Sequence, residues 1–150
     1  MGHICTSCTT KDSQIVQELA SAVPNTGSPT FWNQTVYFTG GAYVQAYKVN
    51  QGLLFTPPTL DQAAGGGPTI VTANSNADGI LWSLSYSGVL WARDAQTLKV
   101  LYTSRQAANG RDLVPPITHF ATAIEADGKV FIGTQNSLVV FGLLPWSGPS

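Results

Sequence analysis

The sequence VFIGT at residues 130–134 is followed by the polar residues QNS at 135–137 and by LVVFG at 138–142. Two short apolar runs joined by a tight polar turn predict a β-hairpin. The same pattern occurs twice earlier in the chain, at residues 36–49 and at residues 80–93. Three copies of one hairpin predict a repeat protein, and this repeated unit decides the fold.

Each hairpin is preceded by an opening segment and a turn. The openers share a threonine, at Thr30, Thr69 and Thr122. A fourth apolar run closes the first two repeats, at residues 53–56 and 100–103. The hairpins recur at intervals of 44 and 50 residues, counted between their first apolar residues. Four short strands at a period of about 40–50 residues predict all-β propeller blades, three of them in this chain.

The third repeat has no fourth run of its own, because the chain continues as GLLPWSGPS after residue 141. Residues 13–19 are a spare segment, and the β-branched Ile15 and Val16 favour a strand there. A helix that Pro24 ends is the alternative. Since proteins usually cover a free sheet edge, we expect residues 13–19 to complete the third blade beside residues 138–141.

These patterns divide the chain into three parts: an unstructured leader at residues 1–12, one three-blade domain at residues 13–145 and a tail at residues 146–150. The leader lacks the apolar stretch of a signal peptide. No apolar run has the roughly 20 residues of a membrane-spanning helix.

The composition also favours a β-protein. Charged residues make up only 10% of the chain, while 15 glycines and 9 prolines supply turns. A helical bundle would need more charge on its exposed faces, since the usual charged share is about a quarter. The net charge of -1 gives no electrostatic basis for binding nucleic acid or an anionic membrane.

The motifs GILWSL (79–84), VLWARDAQT (89–97) and DGKVFIGT (127–134) resemble blades of the pyrroloquinoline-quinone-like, or quinoprotein dehydrogenase-like, β-propeller family. The likeness covers roughly residues 13–145. It implies the C-terminal blades of a longer bacterial propeller, secreted or periplasmic. The quinone enzymes of that family use adjacent cysteines, calcium-binding acids and a catalytic aspartate. Because no adjacent cysteine pair is present, the resemblance implies the scaffold and no cofactor.

The sequence offers few candidates for chemistry. Cys5, Cys8 and His3 are candidates for a metal or redox site, but no second cysteine pair accompanies them, and we interpret them as part of the leader. His119 and Asp112 are candidates for a serine-hydrolase arrangement, although a structural role for His119 is the commoner interpretation.

The longest connection between repeats, residues 104–118, is the best candidate for contact with a ligand or partner, because binding residues gather on long loops between rigid strands. Its candidate residues are Arg105, Asn109, Arg111 and Asp112. The alternative is an ion pair between Arg111 and Asp112 that only orders the loop.

Three blades do not close a ring, since propellers have about 4–8. The two open faces would expose apolar surface, which a monomer rarely tolerates. We therefore expect a homodimer of six blades, with an axial channel near the opening threonines.

The expected function is a non-catalytic binding or scaffolding module that takes a small molecule or protein as ligand. The alternatives are a small hydrolase or metal-assisted oxidoreductase with its site at the axis or subunit interface, and a truncated propeller fragment without independent function.

Overall fold

The computed structural model describes residues 15–19, 27–40, 43–61, 67–118 and 121–142. Within these ranges the chain forms twelve β-strands in three antiparallel sheets. A three-residue 3-10 turn, Ala108–Gly110, is the only helical element in this part of the chain. None of the described helices is long and apolar enough to cross a membrane. The predicted all-β class is confirmed.

The first sheet has five strands: β1 (Thr30–Trp32), β2 (Thr35–Gly40), β3 (Tyr43–Asn50), β4 (Leu53–Leu54) and β5 (Thr59–Asp61). β1, β2 and β3 follow one another across the sheet, and both β4 and β5 pair with the far edge of β3. β4 lies beside residues 49–50, and β5 lies beside residues 44–46. Two short strands therefore share the fourth position, which the sequence predicts as one strand at residues 53–56.

The second sheet is a four-stranded meander, β6 (Thr69–Asn74), β7 (Ala77–Leu84), β8 (Leu90–Asp94) and β9 (Val100–Thr103). The third sheet is β10 (Ala123–Ala126), β11 (Lys129–Gly133) and β12 (Leu138–Phe141). The hairpin at residues 130–141 has the predicted pairing, with Val130 opposite Phe141 and Gly133 opposite Leu138.

Two of the predicted turns have the backbone of tight hairpin turns. Asn33 and Gln34, between β1 and β2, have φ angles of 45° and 55°. Asp127 and Gly128, between β10 and β11, have φ angles of 52° and 67°. Positive φ at both central residues matches the right-handed twist of the flanking strands, and Asn, Asp and Gly tolerate it best.

The second sheet lies between the other two. Successive side chains of a strand point to opposite faces, so Leu81 of β7 packs toward the first sheet and Leu84 toward the third. The first interface has the buried core Tyr37, Val44, Ala46, Leu81, Ala95 and Leu98. The second interface has the buried core Leu84, Leu90, Ala123, Val130 and Ile132.

The opening strands lie side by side, with β1 against β6 and β6 against β10. The Thr30 hydroxyl donates to the Thr69 carbonyl oxygen at 2.5 Å and accepts from the Thr69 hydroxyl at 3.1 Å. Thr122 is exposed just before β10. Two of the three threonines predicted to lie near a common axis are therefore in direct contact.

The prediction of a strand at residues 13–19 beside β12 is wrong for its described part. Residues 15–19 have no regular structure. The Gln17 side chain instead bonds both backbone groups of Leu54, donating to the carbonyl oxygen at 3.0 Å and accepting from the N–H at 2.8 Å. The amide thereby pairs the backbone N–H and C=O that Leu54 directs away from β3. This outer edge of β4 lies on the opposite side of the second sheet from β12. The leader, the tail and residues 13 and 14 lie outside the described residues.

Candidate binding site

The loop at residues 104–118 returns over the second sheet and brings Asp112 to β9. The Asp112 carboxylate accepts a hydrogen bond from the Tyr102 hydroxyl at 2.5 Å. It also accepts two bonds from the Arg111 guanidinium, from Nε at 2.7 Å and from Nη2 at 2.9 Å. A guanidinium that donates twice to one carboxylate fixes its orientation as well as its charge. This carboxylate is one anchor of the loop, beside the bonds between Ser104 and Leu90 and the packing of Val114 and Ile117 against the second interface.

This group of three residues keeps fixed protonation states near neutral pH. The hydrogen bonds from Arg111 first, and from Tyr102 second, lower the pKa of Asp112 to about 2. Burial first, and then the bond to Asp112, raise the pKa of Tyr102 to about 12. The pKa of Arg111 is raised by its bond to Asp112. Asp112 therefore remains an anion and Tyr102 remains a hydrogen-bond donor near neutral pH. Such fixed states suit a group that holds the loop on β9 or that binds a ligand.

Beside this loop, a cleft of about 770 Å³ separates the second and third sheets. Its walls are mainly apolar, with Ile80 and Trp82 from the second sheet and Val130, Val139 and Phe141 from the third. The Trp82 indole N–H donates to the Thr72 hydroxyl at 2.9 Å, which fixes the ring on its wall. An apolar cavity with a few oriented polar groups is the usual form of a binding site.

The cleft extends to β12, the edge strand of the third sheet among the described strands. Val139 and Val140 point to opposite faces of β12, yet both line the cleft. It therefore reaches around the strand edge to the backbone of β12. At the other end it reaches Glu125, whose carboxylate accepts from the Gly128 N–H at 3.1 Å.

The structure brings two of the predicted loop residues to the cleft, Arg111 and Asp112. Arg105 is exposed away from it, and Asn109 lies in the 3-10 turn with a φ of 59°. The remaining candidates lie outside the described residues: His3, Cys5, Cys8 and His119. The described residues contain no cluster of three His, Cys, Asp or Glu side chains able to hold a metal ion.

Sequence reasoning missed Tyr102, Trp82 and Phe141 as parts of this site. Alternate side chains of a strand share a face, and by this pattern Tyr102 on β9, Trp82 on β7 and Phe141 on β12 face the interface between the second and third sheets. Nothing in the sequence shows that the two sheets stand apart there.

The outer faces of the first and third sheets carry exposed apolar side chains. On the first sheet Phe31 is 60% exposed, while half-buried Phe38 and buried Tyr47 stack with ring centroids 5.4 Å apart. On the third sheet Ile124 is 61% exposed and Leu138 is 66% exposed. The strand pairing puts Ile124, Phe131, Val140 and Leu138 on one face.

A comparison with protein-family models finds no match, and a comparison with curated proteins finds none either. The resemblance to quinoprotein-like propellers therefore remains an interpretation of the motifs at residues 79–97 and 127–134.

Proposed function

We propose that this protein is a non-catalytic scaffolding and binding module of the quinoprotein-like propeller type, in which each sheet is a blade and two copies close into a ring of six. The outer face of the first sheet in one copy packs against the outer face of the third sheet in the other. The observation that carries the proposal is the pair of exposed apolar faces at the two ends of the stack.

The two internal interfaces support this assignment because they bury the same kind of face. Tyr37 and Leu81 meet across the first interface, and Leu84 and Ile132 meet across the second. Within the described residues no further sheet of the same chain covers the two outer faces. Exposed apolar patches of this kind mark interaction sites.

Symmetry favours two copies. When one face binds a different face of the next copy, the assembly either closes into a ring or grows as a filament. Six sheets fall within the range of about 4–8 known for closed propellers, and nine do not. A dimer satisfies both ends of both chains and leaves no face open.

The test of this proposal is the oligomeric mass of the intact chain. Light scattering on dilute protein should give about twice the chain mass of 15.9 kDa. Phe31→Lys and Leu138→Lys each place a charge on one face and should give monomers. Leu101→Lys is the matched control, because Leu101 is 52% exposed but lies on the middle sheet. It should leave the dimer intact, and a folded wild-type monomer would contradict the proposal.

A mixing experiment identifies which faces meet. Phe31→Lys places a charge only on the outer face of the first sheet, and Leu138→Glu places one only on the outer face of the third sheet. Mixed together, the two variants retain one undamaged contact, between the first sheet of one and the third sheet of the other, and their second contact pairs Lys with Glu. Dimers should therefore reappear on mixing. If each face bound its own kind, each variant would still dimerise alone through its undamaged face, and mixing would change nothing.

A further inference from the structure

We infer that residues 15–19 of one copy form the fourth strand of the third sheet of the other copy, along β12, with alternate side chains filling the cleft. This inference rests on the ring proposed above. It makes the cleft a strand-binding site whose ligand is a second copy of this chain.

The connectivity of the chain points to this pairing. β5, at the fourth position of the first sheet, leads through seven residues to β6, the first strand of the second sheet. β9, the fourth strand of the second sheet, leads through nineteen residues to β10, the first strand of the third. In both cases the strand at the fourth position of one sheet is followed in the chain by the first strand of the next sheet. Ten residues, 20–29, separate the segment at 15–19 from β1, within the same range.

By that rule, residues 15–19 belong to the sheet that precedes the first sheet. In the closed ring this is the partner's third sheet. It is also the one sheet that has three strands in its described part, where the others fill a fourth position. The spare segment and the free edge therefore adjoin the same interface between copies.

The edge and the cleft fit a strand of this length. β12 has four residues, and the segment has five. A strand added to an exposed edge gains backbone hydrogen bonds, and pockets receive its alternate side chains. Next to β12, the inward side chains of such a strand would face Tyr102 across the cleft, beside Val139 and Phe141.

The composition of the segment matches this position. Ile15, Gln17 and Leu19 alternate on one side and Val16 and Glu18 on the other. We assign Ile15 and Leu19 to the apolar cleft, with Glu18 in solvent. In the single chain Ile15 is 53% exposed and Val16 is 76% exposed, so both gain from burial at β12.

Pairing within one chain is the competing arrangement, and the described position of residues 15–19 opposes it. Packed sheets stand about 10 Å apart, so a chain's own first and third sheets are separated by about 20 Å with the second sheet between them. Gln17 holds the segment at the outer edge of β4. The exchange breaks these two bonds, since Gln17 shares the cleft-facing side of the strand with Ile15 and Leu19, and replaces them with backbone bonds to β12 of the other copy.

Cross-linking between two differently tagged chains tests the inference. In a Cys5→Ser, Cys8→Ser background, one chain carries Val16→Cys and the other Val140→Cys, so that any bond between them is intermolecular. A short bis-maleimide should give a covalent heterodimer on a denaturing gel. Val16→Cys mixed with Leu101→Cys is the matched control, and it should give at least ten-fold less product.

Three outcomes separate this inference from the proposed ring. A dimer by light scattering that cross-links supports both. A dimer that gives no Val16 to Val140 product, or gives it only when both cysteines are in one chain, overturns the exchanged strand and leaves the ring standing. A monomer overturns both.

Discussion

The two interfaces of the middle sheet are built from the same repeat but held in different ways. Across the first, buried Arg93 of β8 forms an ion pair with Asp61 of β5, and the Tyr37 hydroxyl donates to the Ala95 carbonyl oxygen at 2.8 Å. The Thr39 hydroxyl donates to the Gly67 carbonyl oxygen at 2.8 Å. The second interface has an apolar core and opens into the cleft beside residues 104–118.

The two interfaces therefore differ in how tightly their packing is fixed. An interface held by paired polar groups has one arrangement that satisfies them and little freedom to take another. An apolar interface with a gap has no polar groups that fix its arrangement, and it can therefore accommodate a further strand. The cleft therefore lies where the packing is incomplete, and the Asp112 carboxylate helps to anchor the loop that borders it.

The largest expected effect comes from breaking the ion pair at the first interface. Arg93 is fully buried, also donates to the Ser83 hydroxyl at 2.7 Å, and lies 5.0 Å from the ring centroid of Trp91. Arg93→Met should leave the Asp61 carboxylate without its guanidinium and destabilise the fold by about 3–5 kcal/mol. Urea unfolding followed by tryptophan fluorescence measures the change.

The control for that variant is Arg105→Met, which removes an equal charge from an exposed position. It should change the free energy of unfolding by less than about 0.5 kcal/mol. The double variant Arg93→Met, Asp61→Leu should regain much of the lost stability, because replacing both partners removes the unpaired charge. Equal losses in the single and double variants would contradict the pairing.

Much of this architecture is predictable from the chain alone, because it depends on local pattern. The hairpin at residues 130–141 is defined by two apolar runs and a polar turn, and the structure has it at the predicted place. The same holds for the four strands of the second sheet. The turn at Asp127 and Gly128 needs positive φ, which those residue types supply.

The parts that the sequence leaves undecided depend on contacts between distant residues. Arg93 and Asp61 are 32 positions apart, and nothing local identifies them as partners. The segment at residues 15–19 has the composition of a strand, but a strand needs a neighbour, and the Gln17 amide bonds β4 in its place. The cleft depends on the distance between two sheets, which no single stretch encodes.

A smaller effect is expected from crowding the first interface. A Cβ added at Gly79 would lie 2.5 Å from the Trp32 ring, which is held in place because its indole N–H donates to the Ser75 carbonyl oxygen at 2.8 Å. Gly79→Ala should therefore destabilise the fold by about 1–3 kcal/mol. Gly133→Ala is the matched control in the third sheet, because nothing lies within 4 Å of a Cβ there. Equal unfolding midpoints for the two variants would show that the first interface is looser than its contacts indicate.

The smallest expected effect concerns the pH response of the second interface. The pKa of Asp112 falls from 3.8 to about 2 on folding, so the stability that its anion contributes is complete above about pH 4 and is lost as the pH falls toward 2. The pKa of Tyr102 rises from 10.0 to about 12, so its contribution is complete below pH 10 and is lost as the pH rises toward 12.

Asp112→Asn should flatten the acid limb, so that the difference in urea midpoint between wild type and variant shrinks from pH 5 to pH 2. Tyr102→Phe removes the hydroxyl and should reduce the fall in urea midpoint of the protein between pH 10 and pH 12. Asp127→Asn is the control, since the Asp127 side chain is 94% exposed. If Asp127→Asn changed the acid limb as much as Asp112→Asn, the loop would not be anchored through Asp112. The cleft would then owe its shape to apolar packing alone.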